Sequence, residues 1–181
     1  MNSTMVTRAR VLVSEAEFLA LPVSATKTEL IDGEVIVATP PSPRHQILLR
    51  RLVTTLESWA KGMTPMPFVG LSPFDLKLGN DRIVQPDVFV VVGPVDEAAP
   101  QPWTVVPDLC VEVLSTDRVY DRITKRLVYA QAGVREYWTV EPYGVVEQWT
   151  GDGLSSMAEI RDRLTSSLLP GLELDVPALF A

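Results

Sequence analysis

Val84-Gln85-Pro86-Asp87-Val88-Phe89-Val90 and Asp108-Leu109-Cys110-Val111-Glu112-Val113-Leu114-Ser115 each read as a short apolar strand interrupted by one carboxylate. Continuous apolar runs are expected where both faces of a sheet are covered. An acid inside such a run is costly to bury unless a partner meets it. Pro86 has no N–H for a ladder, so it belongs at the start of its strand or at a bulge. Neighbouring strands lie about 4.8 Å apart, so Asp87 and Glu112 on adjacent strands can share one ligand. These residues alone leave two readings open. The acids suit a hard cation, since Mg²⁺ favours one or two carboxylates with waters and phosphate oxygens around it. They suit equally a structural role, each paired with an arginine.

A helix is expected after the second run, over Val119 to Ala132, with cap candidates in Ser115-Thr116-Asp117 and a stop at Gly133. It carries Lys125, whose ammonium can orient a water or offset negative charge. Asp121, Lys125 and Tyr129 share one stripe, whose plain reading is an Asp121–Lys125 surface pair. Ile123, Leu127 and Ala130 form a stripe roughly opposite, and that one is expected to pack on the sheet. Lys125 then reaches the acids only if the helix starts near the strand end and Val128 and Tyr129 bury its side as well. Arg118, Arg122 and Arg126 make the segment basic enough to meet phosphates.

Upstream, a loose start with a short strand at Arg10–Val13 is expected. Ser14 with Glu17 predicts a capping box and a helix to about Leu21. Asp32-Gly33 is a two-residue hairpin signal between Thr28–Ile31 and Glu34–Val37. From spacing alone Glu34 is an exposed hairpin residue. Ser42 or Pro43 opens a helix to about Lys61, with Leu48, Leu52 and Leu56 on its apolar face. His45 lies in its first turn, where an ordinary polar contact is the plain reading. Pro65–Val69 and Ser72–Leu78 read as strands, and Gly93–Pro107 as a long loop, functional or mobile. Glu136–Val140 and Val145–Thr150 form a later hairpin, and Leu172-Glu173-Leu174 is strand-like. The order predicts an α/β fold, a mixed central sheet with helices on each side.

The chain has 181 residues, 46% of them hydrophobic and 22% charged, which fits one globular domain over 1–181. Its core is expected over 14–150, with 151–181 a C-terminal extension. No apolar run is long enough to cross a bilayer and no basic-then-apolar leader opens the sequence, so no membrane association and a cytoplasmic location are expected. One cysteine, Cys110, excludes an internal disulfide and a cysteine-built zinc site, and the single histidine excludes any two-histidine site. A Ser-His hydrolase would need His45 with a serine, and no Gly-x-Ser-x-Gly element is present. The net charge of -7 is unlike that of a nonspecific nucleic-acid binder, yet it allows acids gathered around a cation.

The chain resembles the Uma2 family of restriction-endonuclease-like proteins, a branch of the PD-(D/E)XK nuclease superfamily. The resemblance is carried by Glu29-Leu30-Ile31-Asp32-Gly33-Glu34, Pro41-Ser42-Pro43-Arg44-His45-Gln46, Gln85-Pro86-Asp87 and Val111-Glu112-Val113-Leu114-Ser115. It continues through Asp121 with Lys125 and through Tyr129 to Trp138, and spans about residues 14 to 150. It implies a restriction-endonuclease-like sheet and Mg²⁺- or Mn²⁺-dependent cleavage of DNA phosphodiesters. It implies that Asp87 is the motif's aspartate, Glu112 its second acid and Glu34 a third acidic group at the metal. The superfamily's usual lysine position is Leu114 here, and the family's helix lysine maps to Lys125. Cleaving both strands of a duplex commonly uses two active sites, so a homodimer is expected. The competing expectation is a catalytically silent nuclease fold that serves as a binding or assembly module. Whether His45 or Glu29 takes part in the site is open at this level.

Overall fold

The computed structural model describes residues 12–22, 26–114 and 120–181. Ser14 and Glu17 close the capping box, with the Ser14 N–H donating to the Glu17 carboxylate at 2.8 Å, and open α1 (Glu15–Leu19). Asp32 and Gly33 take φ of 51° and 83°, the left-handed values that the hairpin joining β1 (Thr28–Ile31) to β2 (Glu34–Val37) requires. Ser42 caps α2 (Pro43–Ala60), whose buried face is Leu48, Leu52, Leu56 and Ala60. Next come β3 (Phe68–Leu71), β4 (Leu76–Lys77), β5 (Arg82–Val84), β6 (Val88–Val91) and β7 (Leu109–Val113). A π-helical segment, Tyr120–Lys125, runs into α3 (Arg126–Ala132), which Gly133 ends at φ 94°. The remainder is β8 (Glu136–Glu141), β9 (Val145–Thr150), β10 (Ser156–Ile160), β11 (Arg163–Thr165), β12 (Glu173–Asp175) and α4 (Val176–Phe180).

Among the described residues the main sheet has the order β10-β9-β8-β7-β6-β3, with β7 and β8 parallel and the other pairs antiparallel. The parallel pair needs a crossover, and α3 supplies it. A smaller antiparallel sheet has the order β2-β1-β5-β4. Alternation along β6 and β7 splits the core. Val88, Val90, Leu109, Val111 and Val113 pack with α2 on one face. Phe89 and Cys110 pack with Val128, Tyr129 and Tyr137 on the other. The fold is therefore the mixed α/β sheet flanked by helices that the element order predicts.

Four expectations change. The run Val84–Val90 is not one strand, because the chain leaves the small sheet after Val84 and enters the large one at Val88. Pro86 sits in the gap, since it offers no ladder donor. Ser72–Leu78 shrinks to β4, with Pro73 inside the part that does not pair. The loop over 93–107 is anchored rather than loose, because Trp103 is buried and its C=O accepts from the Lys77 N–H at 2.6 Å. The helix stripes are reversed. Ile123 and Leu127 are 51% and 46% exposed, while Asp121, Lys125, Val128 and Tyr129 are buried. Ile123 and Leu127 are only about half wet, so together they forgo roughly half of the 1.5–3 kcal/mol that full burial of each would give, about 1.5–3 kcal/mol in all. Leaving a buried acid without its counter-charge costs about 3–5 kcal/mol. Charge pairing therefore selects the face.

Residues after 150 also join the structure. β10 extends the large sheet, and Leu164, Leu169, Leu174 and Leu179 enter the core against α2. Those strands have too little apolar alternation to stand out in the sequence. The expected strand at Arg10–Val13, the caps Ser115-Thr116-Asp117, and Arg118 and Val119 lie wholly or largely outside the described residues.

Gly70 stands opposite Phe89 across β3 and β6, and a Cβ there would lie 2.1 Å from the Phe89 ring. The ring is fully buried, so it has little room to yield. Gly70→Ala is expected to destabilise the fold by about 1–3 kcal/mol, read as a lower urea midpoint. An unchanged midpoint would contradict the packing described here.

Candidate active site

The register that sets Val88 opposite Val111 brings Asp87 beside Glu112 at the end of the β6–β7 ladder. Asp87 also lies at the seam where the chain passes between sheets, so β1 of the small sheet is within reach. Both acids are buried. Asp87 Oδ2 accepts from the Val113 N–H at 2.9 Å and from His45 Nε2 at 3.0 Å. Glu112 Oε1 accepts from the Tyr129 hydroxyl and from Lys125 Nζ, both at 2.7 Å. Lys125 Nζ also pairs with Glu29 Oε1 at 2.9 Å, and Glu29 Oε1 accepts from the Gln85 N–H at 2.7 Å. Lys27 Nζ completes the cluster, 3.0 Å from Asp87 Oδ1 and 3.6 Å from Glu112 Oε2.

The electrostatics follow from burial opposed by these partners. Burial alone would raise Asp87, but the Lys27 ammonium and the His45 hydrogen bond hold it well below the usual carboxylate range. Burial pushes Glu112 up, against the pull of Lys125 and Lys27. Burial would lower Lys125, but Glu112 and Glu29 hold it far above its ordinary value, so it stays charged. Burial, then the Glu112 charge, raises Asp121 from 3.8 to about 7.

Asp87, Glu112 and Lys125 thus come together, as the sequence reading expects, although Lys125 arrives on the helix face not expected to pack. Glu34 lies on the same face of its hairpin as Glu29, because Ile31 opposes Glu34 and Glu29 opposes Ile36. It is half-buried and lines the cavity wall, whereas Glu29 makes the direct ion pair with Lys125. His45 is a partner of Asp87, and its Nδ1 is buried with no hydrogen-bond partner among the described residues. Lys27 was not legible, since a lysine before a strand is ordinary edge chemistry and its partner Asp87 is 60 residues away. Arg122 and Arg126, the described arginines of the helix, do not line the site. Arg122 pairs with Glu141 and Glu147, and Arg126 stacks on Trp149 at 4.6 Å.

The cluster opens into a cavity of about 980 Å³. Among the described residues lining it are six carboxylates (Glu29, Asp32, Glu34, Asp87, Glu112 and Asp121) against the ammonium groups of Lys27 and Lys125. No three His, Cys, Asp or Glu side chains among the described residues are grouped as a ready-made metal site. The pair Asp87 and Glu112 still fits a hard divalent cation. Each directs one oxygen at a common point that already holds a positive charge, the Lys27 ammonium. Two carboxylates leave the rest of a shell to water and phosphate, which suits Mg²⁺.

The sheet order, its flanking helices and the acids at the seam define a restriction-endonuclease-like α/β protein. The chain belongs to the Uma2 family, described as "Putative restriction endonuclease", whose model matches residues 15–177. The crystal structure of a protein described as a "putative nuclease belonging to DUF820", from Anabaena variabilis, is similar over 93% of this chain and 97% of that chain. The TM-score is 0.77 at 22% sequence identity, a likeness of fold. No curated protein matches the chain. No helix among the described residues is long and apolar enough to cross a membrane.

Two measurements check this electrostatic arrangement. Lys125→Met strands Glu29 and Glu112 without their shared counter-charge and is expected to cost about 3–5 kcal/mol. Adding Glu112→Gln to that variant should restore part of the loss in urea denaturation; a purely additive double variant would refute the coupling. For Asp121 the folded-state pKa is raised, so between about pH 4 and pH 7 the folded state binds the extra proton. Stability from this group is therefore present at low pH and is lost as pH rises through that window. Asp121→Asn should gain urea midpoint relative to the parent chain between pH 5 and pH 8, and a constant difference would contradict the assignment.

Proposed function

We propose that the chain is a metal-dependent DNA endonuclease that hydrolyses phosphodiester bonds, with Mg²⁺ or Mn²⁺ as its cation. The observation that carries this reading is the convergence of Asp87 Oδ1 and Glu112 Oε2 on one positive charge at a cavity mouth. A cavity whose charged lining is mostly carboxylate repels a phosphodiester unless cations offset it, so the surplus of acids over lysines is itself an argument for a metal. Asp87 and Glu112 would hold the ion. When bound, it lowers the pKa of a water and stabilises negative charge building on phosphate oxygens.

The remaining residues orient that pair. His45 and the Val113 N–H fix one oxygen of Asp87, which leaves the other directed outward. Lys125 and Tyr129 do the same for Glu112. Lys125 also holds Glu29 in place through their ion pair. Glu34, on the cavity wall, is proposed as a third acidic group at the metal. A homodimer would supply the second active site that a double-strand break commonly needs. The cellular compartment we assign is the cytoplasm.

A second reading has one observation in its favour. Each central acid already has a lysine partner, which suits a charge-balanced scaffold that binds rather than cuts. Nicking of supercoiled plasmid in Mg²⁺ or Mn²⁺ separates the two. The expected result is cleavage that EDTA abolishes and that Asp87→Asn or Glu112→Gln lowers at least about 100-fold, the scale of losing a positioned electrostatic group. Equal cleavage by the parent chain and both variants would end the enzyme assignment.

A further inference from the structure

Among the described residues, each of the two central carboxylates has one oxygen held by two hydrogen bonds and the other turned toward Lys27. Asp87 Oδ2 is taken by His45 and the Val113 N–H, and Glu112 Oε1 by Lys125 and Tyr129. The oxygens left over, Asp87 Oδ1 and Glu112 Oε2, both face Lys27 Nζ, at 3.0 Å and 3.6 Å. Lys27 therefore stands where a bridging cation would stand. We propose that Lys27 is a resident counter-ion of this site, and that a divalent cation binds by displacing its ammonium from between Asp87 and Glu112. The proposal rests on the metal-dependent reading above and adds to it a residue that sets metal affinity.

The two lysines of the cluster differ in the way this requires. Lys125 is 2% exposed, and its ammonium is held by Glu29 and Glu112. Lys27 is 21% exposed by its side chain and lines the cavity. Its backbone is secured independently, because its C=O accepts from the Ala38 N–H at 2.9 Å. The ammonium can therefore swing into the cavity by rotation of its four-carbon stem while the hairpin stays in place. An ammonium and a divalent ion cannot share the two oxygens, since their mutual repulsion at such distance opposes the attraction each has for the acids. With Lys27 in place the charge of Asp87 and Glu112 is offset in part. With Lys27 displaced, its charge remains at the cavity wall, where an entering phosphate would meet it.

The test is calorimetric titration of the full chain with Mn²⁺ alone, comparing the parent with Lys27→Met, Lys27→Gln and Lys27→Arg. Removing the competing charge is expected to tighten Mn²⁺ binding about tenfold or more in the Met and Gln variants. Lys27→Arg keeps a cation at the same place and is expected to stay near the parent. The Met and Gln variants should also lose thermal stability in EDTA and regain more than the parent on adding Mn²⁺. Circular dichroism checks that each variant is folded, and Lys27→Gln, which keeps a hydrogen-bond donor, stands in if Lys27→Met is not. If the parent binds Mn²⁺ and the neutral variants bind it equally or more weakly, displacement is wrong and the metal reading stands. If none of the folded proteins binds Mn²⁺, both fall together.

Discussion

The buried carboxylate of Glu112 is the constraint on which the rest depends. It lies one residue from the end of β7, with its side chain only 3% exposed, and among the described residues it meets Lys125, Tyr129 and Lys27. To bring Lys125 and Tyr129 to one oxygen, the helix after β7 must turn its polar stripe toward the sheet. It does so through the π-helical segment Tyr120–Lys125, a rare form that is frequent at functional sites. The exposure of Ile123 and Leu127 is the consequence. A single buried charge thus dictates the orientation of the crossover helix, and through it the placement of β8.

A second constraint is the seam between the sheets. Gln85-Pro86-Asp87 carries the chain from β5 to β6, and Glu29 reaches across to receive the Gln85 N–H. The small sheet therefore does more than cover one face of the large one. It delivers Glu29 from β1, with Lys27 just before that strand, to acids that belong to the other sheet. The result is a cluster drawn from β1, the seam, α2, β7 and the π-helical segment. Only a folded arrangement of both sheets assembles it. The charged groups lining the cavity are mostly acids, and the two internal lysines offset part of that charge.

Much of the local structure was legible in the residues. Ser14 with Glu17, Asp32-Gly33, Ser42-Pro43 and Gly133 are capping and turn chemistry that acts over three or four positions, so sequence suffices to find it. The acids Asp87 and Glu112 stood out because a charge in an apolar strand breaks the pattern around it. The strands at Ser156–Ile160 and Arg163–Thr165 were not legible, because an edge strand wetted on most sides carries little apolar alternation. The helix stripe was misread for a physical reason. Periodicity weighs apolar area, whereas here the larger free energy lies in compensating charge.

The sequence by itself determined most of the secondary elements, the α/β class, and the two acids in apolar runs around which a site can form. These depend on short-range turn chemistry and on the cost of a lone charge in an apolar run, and both are written in neighbouring residues. Tertiary structure alone decided which groups meet those acids. Lys27 is 60 residues from Asp87, His45 is 42 residues from it, and Glu29 meets Lys125 only where the small sheet folds onto the helix. Ion pairing acts through space over a few ångströms, so its partners are set by the packing of sheets and helix and not by distance along the chain.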